Sequence, residues 1–432
     1  YYNSLKNMLT LFEWFNALIQ SNTLSMIGLL IAVAFLGSKI FQRFGIPQVV
    51  GFIAIGVLHG PSFLNVVPLE LGDQLIFISE IALGLIGFDM GSHLLFSDLR
   101  RLGRSIAFIL LFEALGTFVI VTAGVYAITQ SLHTALIFGA LSSATAPAAT
   151  VDVLAEHDAK GPLTTSLLAV VGLDDALSLL LYSIAAALAE SVLVGSEAPS
   201  LIQILELPVI EIGGSLVLGI AMGLALDLVM RRMKSRHDAM AISIAFVFLA
   251  VGLSETLELS LILTTMAMGI VVANFEPEHC RNIRYTIEQA GPVIYVLFFA
   301  LIGARFQISL LPTMGLLGIA YVVLRSFGKF TGAWLGGRIG KAEPVVRDNL
   351  GFGLLSQAGV AIGLAIASAN RFSPLGEEGK ALGSLIINVI TATTFLVQII
   401  GPIFVKFAIG RAGEIGMAKL SDDVWASEGT PE

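Results

Sequence analysis

Two adjacent carboxylates, Asp174 and Asp175, interrupt an apolar run that extends from Pro162 to Ala189. The run is long enough to cross a bilayer, which takes about 20 apolar residues. A carboxylate at the bilayer centre costs at least ~2.5 kcal/mol, and two neighbouring carboxylates also repel each other. In a helix that begins at Pro162, the pair would lie ~18 Å deep, near the membrane midplane. The pattern predicts a site that holds a cation, a proton, or each in turn.

Adjacent helical positions point about 100° apart, so we expect one aspartate to face the ion and the other to reach a neighbouring helix. The expected partner is Lys329, which lies at similar depth in a later apolar run. A buried ammonium needs a counter-charge, and the aspartate pair supplies it. Arg325, one helical turn from Lys329, is the alternative charge partner of the pair.

The composition places these residues in a membrane. Of the 432 residues, 56% are apolar and 13% charged, with a mean hydropathy of +0.88, whereas soluble domains carry about 25% charged residues. The single cysteine, Cys280, excludes an intramolecular disulfide and a cysteine-based metal cluster. Glycine-rich phosphate-binding motifs are also missing from the sequence. We therefore expect an all-α polytopic membrane protein that is not an enzyme, with no cofactor and no nucleic-acid partner.

Apolar runs bounded by charges, glycine and proline predict about thirteen transmembrane helices. They lie near 24–42, 46–60, 74–92, 104–128, 132–152, 162–189, 208–230, 239–256, 260–274, 289–304, 313–338, 347–369 and 381–408. Eighteen of the 24 Lys and Arg residues follow odd-numbered spans. The positive-inside rule then places the N-terminus outside and the C-terminus in the cytoplasm.

Thirteen spans divide into an inverted repeat of six plus six with a linker helix between them. The division predicts an N-terminal interfacial segment (1–23), a first six-helix repeat (24–189), a linker helix region (190–238), a second six-helix repeat (239–408) and a cytoplasmic tail (409–432). Two spans at matching positions, the fifth and the twelfth, are interrupted by small and polar residues. Such paired interruptions are the best pointer in a sequence to the binding site of a transporter.

The interruptions supply further polar candidates. In the fifth span, Pro147 frees a backbone carbonyl one turn back, and the hydroxyl of Thr145 can bind a small cation beside Ser143. Gln357 lies in the interruption of the twelfth span. Glu113, inside the fourth span, is either a proton-path group near the site or a partner of Arg325.

Three segments together carry a resemblance to a known family: SSATAPAATVDVLAEHDAKGPLTTSLLAVVGLDDALSL at 142–179, GIPQVVGFIAIGVLHGP at 45–61, and GKFTGAW at 328–334. They resemble the monovalent cation:proton antiporters, in the branch of bacterial sodium/proton antiporters. The resemblance implies a homodimer in the bacterial inner membrane, with a scaffold domain and a mobile core domain in which two discontinuous helices cross. It implies that Asp175 is the essential ion- and proton-binding carboxylate, that Asp174 pairs with Lys329, and that Thr145 lies near the cation.

The expected function is secondary antiport of protons against a monovalent cation, Na⁺ or Li⁺. Proton and cation would compete for one site, and only the occupied, neutralised site would cross the hydrophobic barrier. The Asp-Asp pair resembles that of electrogenic relatives. K⁺/H⁺ antiport is the alternative within the same superfamily. The rivals from other classes are a sodium-coupled organic-anion symporter and a passive cation channel.

Overall fold

The computed structural model describes residues 22–68, 75–195, 200–232, 236–275, 277–306, 312 and 315–418. Within these ranges the chain is helical and contains no β-strand, which confirms the predicted all-α class. The helices are α1 (Thr23–Arg43), α2 (Gln48–His59), α3 (Ile76–Ser92), α4 (Phe96–Thr129), α5 (Leu132–Ser143), α6 (Pro147–Glu156), α7 (Pro162–Val194), α8 (Leu201–Met230), α9 (Arg236–Thr256), α10 (Leu261–Phe275), α11 (Pro277–Ala304), α12 (Gly315–Ile339), α13 (Pro344–Asn349), α14 (Gly359–Phe372) and α15 (Glu377–Ala412). Short 3₁₀ turns occupy Leu350–Leu354 and Ser373–Leu375.

Each predicted span coincides with a helix or with an interrupted pair of helices. Among the described residues, six segments are long and apolar enough to cross a membrane: Thr23–Arg43, Arg100–Thr129, Leu132–Glu156, Pro162–Val194, Ile204–Met230 and Glu377–Ala412. Shorter apolar helices include Gln48–His59 and Leu261–Phe275. The count of thirteen spans and the inverted repeat stay predictions. The predicted interfacial segment 1–23 lies almost wholly outside the described residues, as does the tail from residue 419 onwards.

The described residues form two compact units. One comprises the described parts of Tyr1–Ala82 and Ala290–Ser309, and the other those of Leu83–Gln289 and Leu310–Glu432. In the first unit, α1 packs against α2, and the hydroxyl of Ser62 donates to the carbonyl of Phe306 at 2.8 Å. The second unit contains every residue proposed above for the site. The division into repeats and a linker is a different partition of the chain, and it stays a prediction.

The interior of the second unit is filled by apolar side chains from α4, α5, α7, α12, α14 and α15. The rings of Phe138 and Tyr321 meet edge to face with centroids 5.8 Å apart. Both side chains are fully buried. This core fixes α12 against α5, where the first interruption of a membrane segment begins.

Both interruptions have a local cause. Helix α5 ends at Ser143, and Ala144 and Ala146 adopt extended conformations. Pro147 then opens α6, because proline has no N–H to donate and its fixed φ suits the first helical position. In the later segment, the 3₁₀ turn ends at Leu354 and α14 begins at Gly359. The four residues between them form the second interruption.

Two glycines bring α12 directly against α4. A Cβ atom on Gly328 would lie 2.7 Å from the Cα of Thr117, and a Cβ on Gly332 would lie 2.6 Å from the Cα of Glu113. Only glycine permits this approach, and small residues are the usual means of packing helices closely in membranes. The close packing places Lys329, on the same helix, beside Glu113.

Candidate functional site

Lys329 is the centre of a fully buried ionic cluster. Its ammonium donates to Glu113 Oε2 at 2.6 Å, to Asp174 Oδ2 at 3.1 Å, and to the backbone carbonyl of Ser143. The Lys329, Glu113 and Asp174 side chains are 0% exposed. All three ammonium hydrogens therefore have acceptors. The expected contact between Lys329 and Asp174 is present, and it ties α12 to α4, α7 and the end of α5.

Asp175, the neighbour of Asp174 on α7, has a different environment. Both of its carboxylate oxygens are buried, and neither accepts a hydrogen bond from any described residue. The same is true of Asp174 Oδ1 and of the hydroxyls of Thr145 and Ser178. A buried ionised carboxylate without donors is unfavourable unless something positive neutralises it. Asp175 therefore has vacant acceptor capacity for a proton or a cation.

The charges of the cluster do not balance. Three carboxylates, those of Glu113, Asp174 and Asp175, accompany two basic groups, Lys329 and Arg325, and all five side chains are buried. When every group is ionised, one unit of negative charge remains. A single proton or a single monovalent cation would neutralise it.

Arg325 joins the two interruptions rather than pairing with a carboxylate. Its guanidinium donates to the carbonyls of Ser142 at 3.1 Å and Ala144 at 2.7 Å, and to those of Leu355 at 2.6 Å and Ser356 at 3.2 Å. The C-terminal end of a helix presents carbonyls with no partner in the helix and carries partial negative charge. Arg325 satisfies such carbonyls from both segments at once.

Two further contacts hold the interruptions together. The backbone N–H of Ala146 donates to the carbonyl of Ser356 at 3.0 Å. The amide of Gln357 donates to the carbonyl of Leu141 at 2.7 Å and to the hydroxyl of Tyr321 at 2.9 Å. The two discontinuous segments therefore meet at their breaks, next to the buried ionic cluster.

The family model for the transmembrane part of sodium/hydrogen exchangers matches residues 28–409. The chain belongs to the sodium/hydrogen exchanger family. This exchanger is accordingly an integral membrane protein, as its composition and apolar helices predict.

Two further comparisons agree with the family. Over 405 residues, the exchanger is 25% identical to the high-affinity Na⁺/H⁺ antiporter NhaS3 of Synechocystis sp. (strain ATCC 27184 / PCC 6803 / Kazusa), covering 84% of this chain and 85% of NhaS3. Its fold is similar to two structures of the sodium proton antiporter MjNhaP1 from Methanocaldococcus jannaschii. One, determined at pH 8, has a TM-score of 0.64 at 17% identity and covers 89% of this chain and 97% of MjNhaP1. The other, from electron microscopy, has a TM-score of 0.72 at 18% identity and covers 94% and 98%.

The structure brings most of the predicted site residues of the exchanger together, with two differences. Arg325, the alternative partner of the aspartates, binds backbone carbonyls instead. Glu113, for which a pairing with Arg325 was one option, binds Lys329. Pro147 opens α6, and the carbonyl of Ser143, one turn before it, accepts from Lys329. The transport roles of these residues stay predictions.

Sequence reasoning missed Tyr321 and Ser178. Tyr321 lies four residues before Arg325 on α12, and Ser178 lies four residues after Asp174 on α7. That spacing places each on the same helical face as the charged residue. The signal was therefore available, but a tyrosine or serine on such a face is common and does not by itself indicate a site.

Proposed function

We propose that this exchanger is a secondary active antiporter that moves protons against a monovalent cation, Na⁺ or Li⁺. The observation that carries the proposal is Asp175, a buried carboxylate without a donor among the described residues, beside Asp174, which pairs with Lys329. Membership of the sodium/hydrogen exchanger family supports it. So does the similarity to NhaS3, a high-affinity Na⁺/H⁺ antiporter.

In the proposed mechanism, proton and cation compete for Asp175. Asp174 and Thr145 each have a buried oxygen that forms no hydrogen bond with a described residue. We therefore assign these two oxygens as the further ligands of the cation. Carboxylate ligands must lose their proton to bind a cation, so cation binding releases protons. The vacant site keeps one unbalanced negative charge, which hinders its passage through the hydrophobic barrier. Binding of a cation or a proton removes this charge, so the occupied site crosses. This exchange requires no covalent step and hence no enzyme chemistry.

The finer features of the proposal rest on the sequence and the family resemblance. We propose electrogenic exchange in which a second proton moves with the first, carried by Asp174 or Lys329, because both titratable groups belong to the same buried cluster as Asp175. We also propose a homodimer in a lipid bilayer, namely the bacterial inner membrane. The bias of basic residues towards the connections after odd-numbered spans favours an external N-terminus and a cytoplasmic C-terminus.

Proteoliposomes loaded with a pH-sensitive dye and an acidic lumen test the proposal. External Na⁺ or Li⁺ should raise the luminal pH in wild type, whereas Asp175→Asn should abolish the response in a folded protein. Asp348→Asn is the matched control, because that carboxylate is 40% exposed and bound by the adjacent Arg347. A response to K⁺ alone would favour K⁺/H⁺ antiport. Na⁺ uptake without proton movement, or full exchange in Asp175→Asn, would overturn the proposal.

A further inference from the structure

The chain just beyond the last helix reaches back to the helix that carries the aspartates. Glu414, 4% exposed, lies two residues after the end of α15. Its Oε1 accepts from the N–H of Leu163 at 2.7 Å. Its Oε2 accepts from the N–H of Thr164 at 2.7 Å and from the Thr164 hydroxyl at 2.6 Å. Both oxygens of a buried carboxylate are therefore engaged with the first turn of α7.

Helix α7 needs this partner because it cannot cap itself. The residue at its N-cap is Gly161, which has no side chain, and Pro162 follows at the first helical position. The next two N–H groups, of Leu163 and Thr164, are those that an N-cap side chain normally accepts from. Glu414 supplies the missing acceptor from 250 residues away. A negative charge is also favourable at a helix N-terminus.

The backbone on either side of Glu414 strengthens the contact. Three hydrogen bonds connect this segment to the link between α6 and α7: Lys160 N–H to Glu414 O at 3.2 Å, Gly416 N–H to His157 O at 2.9 Å, and Ala418 N–H to Asp158 O at 3.0 Å. At Gly161, a Cβ atom would overlap the Glu414 carboxyl group, so a larger residue there would displace the carboxylate from α7. The segment 414–418 thus forms a latch across the link.

We propose that Glu414 is a positioning residue for transport. Through the latch it fixes the ends of α6, α7 and α15 to one another. Helix α6 begins at the first interruption, and α7 carries Asp174 and Asp175, so both elements of the ion site are held in register with the last helix. The inference rests on the proposed function in one respect, the binding of the ion at these aspartates.

Hydrogen exchange of the purified full-length protein tests the contact without any transport measurement. In Glu414→Gln, one oxygen becomes an NH₂ group that cannot accept a hydrogen bond. At least one of the amide hydrogens of Leu163 and Thr164 should then exchange about tenfold faster, because its acceptor oxygen is gone and the remaining oxygen is no longer charged. The control is Glu377→Gln, since that carboxylate lies in the first turn of α15 and is 89% exposed. Unchanged exchange at Leu163 and Thr164 in Glu414→Gln would overturn the latch.

Transport kinetics test the positioning role. Per folded molecule, Glu414→Gln should lower the turnover at saturating Na⁺ by about tenfold. A displacement of the reacting groups caused by a mutation far from the site can lower a rate by up to about a hundredfold. The KM for Na⁺ should stay unchanged, because no ion-binding oxygen is removed. A lower melting temperature with wild-type turnover would show a merely structural cap and overturn the positioning role.

A second variant keeps the positioning role testable if Glu414→Gln does not fold. Thr164→Val removes only the hydroxyl that donates to Glu414, and it should lower turnover in the same direction by a smaller factor. Wild-type turnover in this variant, with Glu414→Gln unfolded, would also overturn the positioning role. If wild type exchanged no cation at all, the proposed function would fail, while hydrogen exchange would still decide the latch.

Discussion

Replacing Lys329 by glutamine should destabilise the exchanger by stranding two carboxylates. Lys329 is the shared counter-charge of Glu113 and Asp174, and all three side chains are fully buried. Breaking a buried ion pair by removing one partner costs ~3–5 kcal/mol, because the remaining charge is left uncompensated. We expect Lys329→Gln to reach this range. Glu113→Gln should cost less, since Lys329 keeps Asp174 as a counter-charge.

The distances predict how the loss is shared between the two carboxylates. The ammonium lies 2.6 Å from Glu113 Oε2 and 3.1 Å from Asp174 Oδ2. Residues in direct contact show coupling energies of ~0.5–3 kcal/mol in double-mutant cycles. The cycle of Lys329→Gln with Glu113→Gln should therefore give a larger coupling than the cycle with Asp174→Asn. Each double mutant should be more stable than the sum of its single losses indicates.

Unfolding of the purified variants in detergent measures these couplings. The control cycle uses Arg371 and Glu190, an ion pair with a comparable separation of 2.7 Å but with side chains 39% and 37% exposed. Exposed pairs contribute only ~0–1 kcal/mol, so this cycle should show little coupling. Additive losses in both Lys329 cycles would refute the reasoning, because the three groups would then not act as one buried cluster.

Three further predictions concern charge movement during transport, the packing of α12 against α4, and the bridge that Arg325 makes between the two interruptions. Exchange should respond to a potential imposed with valinomycin, since each charge moved is worth ~2.3 kcal/mol per 100 mV; an unchanged rate would refute electrogenic transport. Gly332→Ala should destabilise the protein by ~1–3 kcal/mol, because the new Cβ would lie 2.6 Å from the Cα of Glu113. The control Gly363→Ala should not destabilise it, because nothing lies within 4 Å of a Cβ at that position. Equal melting temperatures of the two variants would contradict the close packing of α12 against α4. Arg325→Lys leaves three donors for four carbonyls, so the free energy of unfolding should fall by ~1–3 kcal/mol per unsatisfied carbonyl. A fall no larger than that of the exposed control Arg371→Lys would contradict the bridging role.

Depth along a helix was the most informative quantity in the sequence. It predicted that Lys329 would meet Asp174, because both lie near the middle of long apolar runs. It did not predict the contact of Glu113 with Lys329, because the predicted fourth span begins at 104, only nine residues before Glu113. The helix begins at Phe96, so Glu113 lies seventeen residues from its start, deep enough to reach Lys329.

Two contacts between distant parts of the chain could not be predicted from the sequence. Arg325 binds carbonyls whose exposure depends on where two other segments break, and the sequence does not specify which helix lies opposite. Glu414 lies 250 residues from the amide that it accepts from. The glycine and proline that open α7 show that a cap is missing, but not which residue replaces it.

The central claim is that a cation and a proton compete for Asp175. The most direct test is to count the protons released when Na⁺ binds to the purified protein, by calorimetry in two buffers of different ionisation enthalpy. Cation binding to a carboxylate site must displace its proton. Wild type should therefore release protons on binding Na⁺, with fewer released and tighter binding as the pH rises, and Asp175→Asn should release none. Na⁺ binding to wild type without proton release and with the same affinity at every pH would contradict the account.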